Sequence, residues 1–234
     1  IKTFHNFRFM SDEKTENCVL KDNPLHLEQL EIVKKVGRVL AVNTVIDDDR
    51  RLSFVNYGEV VESHLAAVNH VKKYMIRKMP RRYSTVVTSA AGYPLDQTYY
   101  QTVKGMISPL DIVSDDGDLI IVSACEEGLG SNYYEVAQKR LVQFGRDQFL
   151  SEIMAKSLAD TDEWQTQMQI KAMSAVKVHL FTEGLTESQK KLTGVNIIDS
   201  VEDTIRNLVS CKPDKSIAVI PEGPYVVPKY QPNE

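Results

Sequence analysis

From Ser84 onward the chain alternates between short apolar runs and stretches of helical periodicity. The apolar runs are STVVTSA (84–90), DLIIVSA (118–124), AVKVHLF (175–181), VNIID (195–199) and SIAVI (216–220). Helical patterns fill the intervals at about 97–107, 133–157, 162–174, 186–192 and 200–210. FGRDQF (144–149) divides the longest of them in two. Short apolar strands separated by helices predict an α/β fold: a mostly parallel sheet with helices on both faces.

The first third reads differently. NPLHLEQLEIVKKV (23–36) predicts a helix with Asn23 as N-cap, Pro24 at the first helical position and an apolar stripe at Leu27, Leu30 and Val33–Val36. RVLAVNTVI and RLSFVNY then form two strand-like runs around a DDDR turn, a hairpin pattern. A helix is expected from Glu59 to about Met79, stopped by Pro80. The division that follows is 1–60 as the remnant of a first domain, 61–82 as a connector helix or hinge, 83–212 as the α/β domain, and 213–234 as a closing strand with a Pro-rich tail. Residues 1–60 are few for a core of their own, and the chain opens on IKTFHNFRF with no initiating Met. It reads as the continuation of a longer protein.

Composition narrows the function classes. The chain has 234 residues, 28 basic and 32 acidic, for a formal net charge of -4. That balance argues against a nucleic-acid partner. No apolar run approaches the ~20 residues of a membrane span, so no membrane partner is expected. Three widely spaced cysteines (Cys18, Cys125, Cys211) form no CxxC pair, which speaks against a disulfide framework or a cysteine zinc site and makes the cytoplasm the expected location.

Candidate chemistry concentrates beyond the carboxyl ends of the predicted strands, where open α/β sheets bind ligands. Three loops lie there: AAGYPLDQ, SACEEGLGSN and FTEGLTES. The first leads into a helix whose N-terminus is expected to offer N–H groups and a positive dipole end. On that helix Gln101 and Lys104, three residues apart, share a face, with Tyr100 one step around. Lysine suits a carboxylate or phosphate, and glutamine can donate to one oxygen while accepting from a hydroxyl. The plainer reading is an exposed polar helix face. In the second loop Glu126 and Glu127 could bind a metal or act as bases, although a solvated turn accounts for them as well.

The histidines form no metal constellation. His64 and His70 lie on different helical faces, His26 sits in a first turn, and His179, inside a strand, reads as a satisfied core residue. His5, among the aromatics of TFHNFRF, is the one that neighbours could bury beside a cofactor. Trp164, the sole tryptophan, lies in the polar stretch DTDEWQTQMQ and is either a core anchor or a lid over a pocket. The basic run KKYMIRKMPRR (72–82) could contact phosphates or simply be a solvated connector.

One stretch, AGYPLDQTYYQTVKG, resembles the loop-helix motif of the nickel-dependent lactate racemase family. The likeness extends over most of the chain. NPLHLEQLEIVKKVGRVLAVNTVIDDDRRLSFVNYGEVVESHLAAVNHV is similar to the segment running from the family's first, cofactor-holding domain into its hinge, and DLIIVSACEEGLGS and DEWQTQMQ follow in the family's order. The resemblance implies a racemase or epimerase of a small 2-hydroxy acid, acting by reversible hydride transfer through a 2-oxo acid. It implies a nickel-pincer nucleotide, with nickel held by carbon, two sulfurs and one histidine. Position by position, it implies that Gln101, Lys104, Tyr100 and Trp164 face substrate or cofactor and that His5 is the nickel ligand. The acid/base histidines and the tethering lysine are expected upstream, in another half of the same protein. The fragment alone is therefore expected to be inactive and to hold no cofactor. Without the family, residues 84–220 would also suit a non-catalytic module binding an anionic metabolite.

Overall fold

The computed structural model describes residues 2–232. Ile1, at the head of the expected first-domain remnant, and Asn233 and Glu234, at the end of the expected Pro-rich tail, lie outside the described residues. In chain order the first elements are α1 (Phe7–Met10), α2 (Pro24–Val36), β1 (Leu40–Ile46), β2 (Leu52–Glu59), α3 (Val60–Met75) and β3 (Ile76–Met79). The next are β4 (Tyr83–Ser89), α4 (Tyr99–Ile107), β5 (Val113–Val122), α5 (Asn132–Phe144), α6 (Arg146–Met154) and α7 (Glu163–Ala175). The last are β6 (Lys177–Phe181), α8 (Glu187–Leu192), β7 (Asn196–Ile197), α9 (Val201–Cys211), β8 (Ile217–Ile220) and β9 (Val227–Tyr230).

The chain divides into two compact units, Ser11–Ile76 and a larger one made of Ile1–Met10 with Arg77–Glu234. The helix expected as a connector belongs to the smaller unit, because α3 packs on the β1–β2 hairpin. Ser63 of α3, only 3% exposed, donates to Ala41 O at 3.2 Å and to Asn56 Oδ1 at 2.8 Å, and accepts from Asn43 Nδ2 at 2.8 Å. Asn43 and Asn56 are direct cross-strand partners in the hairpin. The helix stops at Met75, a turn earlier than Pro80 led us to expect. IRKM instead becomes β3, which pairs with β9. In α2 the expected cap is present: Asn23 Oδ1 accepts from Leu25 N at 2.9 Å, and Gly37, at φ 93°, ends the helix.

In the larger unit five strands form a parallel sheet in the order β7-β6-β5-β4-β8, covered by helices. Val86, Leu119, Ile121 and Leu180 are fully buried in it. The expected 133–157 helix is indeed two, because Gly145 at φ 83° ends α5. VNIID contributes only two paired residues. β5 starts five residues before its apolar run, through a register shift between Tyr83↔Val113 and Thr85↔Asp118 within the stretch 114–117.

Strand order reverses between β4 and β8, and a doubly wound sheet usually takes its ligand just beyond that point. Here the segment after β8 fills the place. A Cβ on Gly223 would stand 2.4 Å from Thr88 Oγ1 and 2.6 Å from Ser89 O, so only glycine fits.

Candidate functional site

The AAGYPLDQ loop, with Ala91 and Gly92 both at positive φ, is held against the loop after β5. Cys125 N donates to Asp96 O and Glu127 N to Gln97 O, both at 2.8 Å. In return Tyr99 N and Tyr100 N donate to Gly128 O and Leu129 O, both at 3.0 Å. Thr98 caps α4, its hydroxyl accepting from Gln101 N at 3.4 Å. The N–H groups expected to await a ligand at the start of α4 are therefore occupied by the neighbouring loop. What α4 presents outward is its side chains.

Those side chains meet residues from two distant segments. The Trp164 indole, in the first turn of α7, stacks on the His5 ring at a centroid distance of 4.6 Å and an interplanar angle of 24°. Tyr100 stands edge-on to Trp164 at 6.1 Å and 89°, and edge-on to Tyr134 at 5.2 Å. The Lys104 amine lies over the Tyr100 ring, 5.8 Å from its centre. His5, Trp164, Tyr100 and Lys104 thus form one contiguous run within the larger unit. Gln101, one residue beyond Tyr100 on α4, is half-buried beside it. Trp164 is itself half-buried and outside the apolar core, so the core-anchor alternative does not describe it.

Burial pushes the Tyr100 phenol up to about 12, reinforced by the Asp162 carboxylate and opposed by a hydrogen bond from Trp164. Tyr100 is therefore a neutral hydroxyl across the physiological range. The Lys104 side chain is exposed as a whole, yet partial desolvation of its amine lowers its pKa. A carboxylate brought beside it would favour the charged form again.

A cavity of about 340 Å³ opens next to this run, lined by Thr98, Tyr100, Glu127, Gly130, Ser131 and Asp162. Thr98, Ser131 and Asp162 are the N-cap residues of α4, α5 and α7, so three helices start at its wall. Asp162 does not cap α7 with its side chain, which instead accepts from Ser131 Oγ at 2.5 Å. Gly130, at φ 121°, lets the loop pass Tyr100; a Cβ there would sit 3.0 Å from Tyr100 Cβ.

Several residues were not singled out by the chain's pattern. Tyr134 backs Tyr100, and Gln165 donates to Tyr100 O at 2.7 Å while being 1% exposed. Glu163, 2% exposed, receives Arg140 at 2.6 Å and Lys156 at 2.8 Å, anchoring the first turn of α7. The polar surround of Trp164 is thus inside the protein while the tryptophan itself is half-buried. The spacing of Q-x-Q-x-Q after the tryptophan was the available signal.

The remaining candidates lie elsewhere. Glu126 and Glu127 are exposed, as a solvated turn requires, and among the described residues no three His, Cys, Asp or Glu side chains group as a metal site. His179 is satisfied by Asp118 Oδ1 at 2.6 Å. In the smaller unit His64 faces His26 at 5.8 Å, and His70 stacks on Phe54 at 4.7 Å. Within the basic run, Arg81 lies over the ring of Tyr83 and pairs with Asp214, and Arg82 lies over Tyr230 and pairs with Asp111, so both arginines are engaged within the fold. No helix of the described residues is long and apolar enough to cross a membrane.

Comparison with known proteins identifies the family. The lactate racemase from Thermoanaerobacterium thermosaccharolyticum is 26% identical over 237 residues, which is 95% of this chain and 52% of that protein. The lactate racemase from Lactiplantibacillus plantarum is 25% identical over 167 residues, 70% of this chain and 38% of that protein. This chain therefore spans about half the length of the first relative and less of the second. Among solved structures, the lactate racemase apoprotein from T. thermosaccharolyticum superposes with a TM-score of 0.88 at 24% identity, over 98% of this chain and 55% of that one. A Thermotoga maritima protein gives a TM-score of 0.61 at 13% identity, over 90% of this chain and 54% of that one. A model of the lactate racemase C-terminal domain matches residues 79–227, more than half of the sequence. The chain belongs to the lactate racemase C-terminal domain family.

Proposed function

We propose that this chain is part of a racemase or epimerase of a small 2-hydroxy acid such as lactate, in which His5, Trp164, Tyr100, Gln101 and Lys104 face the substrate and its cofactor. The observation that carries the reading is the contiguous run of His5, Trp164, Tyr100 and Lys104, assembled from three separate segments. A short carboxylate would find a cation at Lys104, and pairing would further favour the charged amine against the desolvation that lowers its pKa. Gln101, on the same helical face, is placed to hydrogen-bond a hydroxyl or a carboxylate oxygen. The neutral Tyr100 hydroxyl can donate, and with Trp164 it forms an apolar wall that limits ligand size and excludes water.

The family's cofactor, a nickel-pincer nucleotide, supplies the hydride acceptor when bound. The residues present fit it in one respect. Among the described residues no three His, Cys, Asp or Glu side chains group as a metal site, so a metal held by His5 would need further donors, such as the carbon and sulfurs a pincer group would bring. In this reading the acid/base histidines and the tethering lysine belong to the half of the longer relatives that this chain does not span. The isolated chain is then inactive, and the whole protein is a cytoplasmic enzyme.

The test is nickel content and inversion of a panel of 2-hydroxy acids by the full-length parent, co-produced with the cofactor-synthesis proteins. Stoichiometric nickel with inversion of one substrate supports the reading. Neither nickel nor inversion sinks it and leaves an anion-binding module. Lys104→Ala in that protein is expected to raise KM about 10–100-fold, the loss of one charge-assisted hydrogen bond; unchanged kinetics would remove Lys104 from the site.

A further inference from the structure

Helix α7 is polar where the elements around it are apolar. Gln165, Thr166, Gln167 and Gln169 are each at most 5% exposed. Amides in such places cost free energy unless their donors and acceptors are matched. On α7 the glutamine amides reach backbone carbonyls of other elements. Gln165 Nε2 donates to Tyr100 O of α4 at 2.7 Å, Gln167 Nε2 to Phe7 O of α1 at 3.5 Å, and Gln169 Nε2 to Thr193 O beyond α8 at 2.5 Å. Gln165 and Gln169, four residues apart, point to one side of the helix and Gln167 to the other.

Gln165 matters most for the site. It follows Trp164 directly, and its bond ends on the peptide carbonyl of Tyr100, the residue whose ring meets both Trp164 and Lys104. Its own carbonyl oxygen, Oε1, is buried with no hydrogen-bond partner among the described residues. For stability alone, an apolar side chain of the same volume would serve better, burying carbon and leaving no acceptor unpaired. A half-satisfied amide in the middle of a helix–helix contact is the pattern of a residue placed for register rather than for stability.

We infer that Gln165 is a positioning residue: it fixes α4 against α7 so that Tyr100 stands edge-on to Trp164, while Gln167 does the same more weakly for the segment carrying His5. The inference rests on the reading of this run as the substrate-facing surface. Gln169 donates to a carbonyl outside the run and touches it only indirectly, its Oε1 accepting from the hydroxyl of Tyr134 at 3.3 Å behind Tyr100, so it serves as a control in which a smaller response is expected.

The test uses Trp164, the sole tryptophan, as reporter. In this 234-residue chain, hydrogen exchange of its indole N–H and its quenching by acrylamide are compared for wild type, Gln165→Met, Gln167→Met and Gln169→Met. Loss of one hydrogen bond at Gln165 is expected to raise both quantities about fivefold, with an unchanged or higher Tm and a smaller rise for Gln167→Met. Gln169→Met is expected to leave Trp164 within about twofold of wild type. An unchanged Trp164 in Gln165→Met overturns the inference, and so does an equal response to Gln169→Met, which would mean that α7 merely loosens as a whole. Should Gln165→Met fail to fold, Gln165→Asn, which keeps the amide but withdraws it by one methylene, is read by the same criteria. In the full-length racemase assay Gln165→Met should lower kcat more than it raises KM. A parent without racemase activity, combined with a mobile Trp164 in Gln165→Met, would sink the functional reading and leave the positioning role standing.

Discussion

The two units of the chain use the same alphabet of apolar and polar alternation in opposite ways. In the larger unit the apolar runs point inward: Leu119, Ile120, Ile121 and Leu180 have no exposure at all. In the smaller unit, among the described residues of 11–76, only Asn23, Ser63 and Ala67 are buried. Its hairpin alternates as cleanly as any half-covered strand pair, yet the covered side carries Asn43 and Asn56 among Ala41, Val45 and Phe54. Val42, Ile46, Leu52, Val55 and Tyr57 face outward at 56–68% exposure. Alternation locates a two-faced sheet; it does not say which face is the core. One unit buries its apolar side chains fully; the other half-covers a few around a knot of hydrogen bonds on one serine.

That contrast can be tested by substitution. Leu180→Ala, on β6 in the interior of the parallel sheet, should cost about 3 kcal/mol, read as a lower denaturant midpoint at unchanged slope. A loss under 1 kcal/mol would mean that the sheet interior is loosely packed. Asp118→Asn should cost nearly as much, about 3 kcal/mol, because it leaves Lys212 and His179 without their carboxylate. Burial, the largest influence on Asp118, pushes its pKa up, but hydrogen bonds and charge from Lys212 and His179 outweigh it and hold the group below its ordinary value. A depressed folded-state pKa gives stability that is present above the unfolded-state pKa and lost as pH falls through the folded one. The wild type should therefore lose stability below about pH 4, and Asp118→Asn should lose less over that range.

In the smaller unit Ser63→Ala should cost about 1–2 kcal/mol, seen as faster amide exchange confined to the hairpin and α3. No change would show that the asparagine pair holds the hairpin unaided. Tyr57→Ser, on the outward face, should move the stability of this chain by no more than about 0.5 kcal/mol. A larger loss would mean that the outer face is structural after all, and the contrast between the units would fail.

Much of the fold was legible in the sequence, for reasons that differ from element to element. Four of the parallel strands announce themselves by apolar runs of five or more residues, and caps such as Asn23 and breakers such as Gly145 mark helix ends locally. The first half of β5 was hidden because VSDDG pairs through a register shift and has no apolar signal. The last turn of the expected α3 became β3 because strand pairing with β9 outweighed a weak helical preference. At the site, the common face of Gln101 and Lys104 follows from helical geometry. The meeting of His5, Trp164 and Tyr100 does not, since 159 positions separate His5 from Trp164 and only tertiary packing closes that distance. The burial of QTQMQ was the hardest feature to foresee, because polarity argues for solvent and each amide finds its partner in a remote segment.

Three helices begin at the wall of one cavity, with Thr98, Ser131 and Asp162 at their N-cap positions and side-chain caps supplied by the first two. This sets where the chain can change in length. A residue added between Glu126 and Ser131 would displace the carbonyls of Gly128 and Leu129 that receive the start of α4, and would move the cap of α5 with them. A residue added at Asp48 or Asp49, in the exposed hairpin turn, would disturb only that turn. Across variants of this protein, length differences belong in the turns of the smaller unit, and the loop from Cys125 to Ser131 keeps its length, with substitution confined to its exposed Glu126 and Glu127.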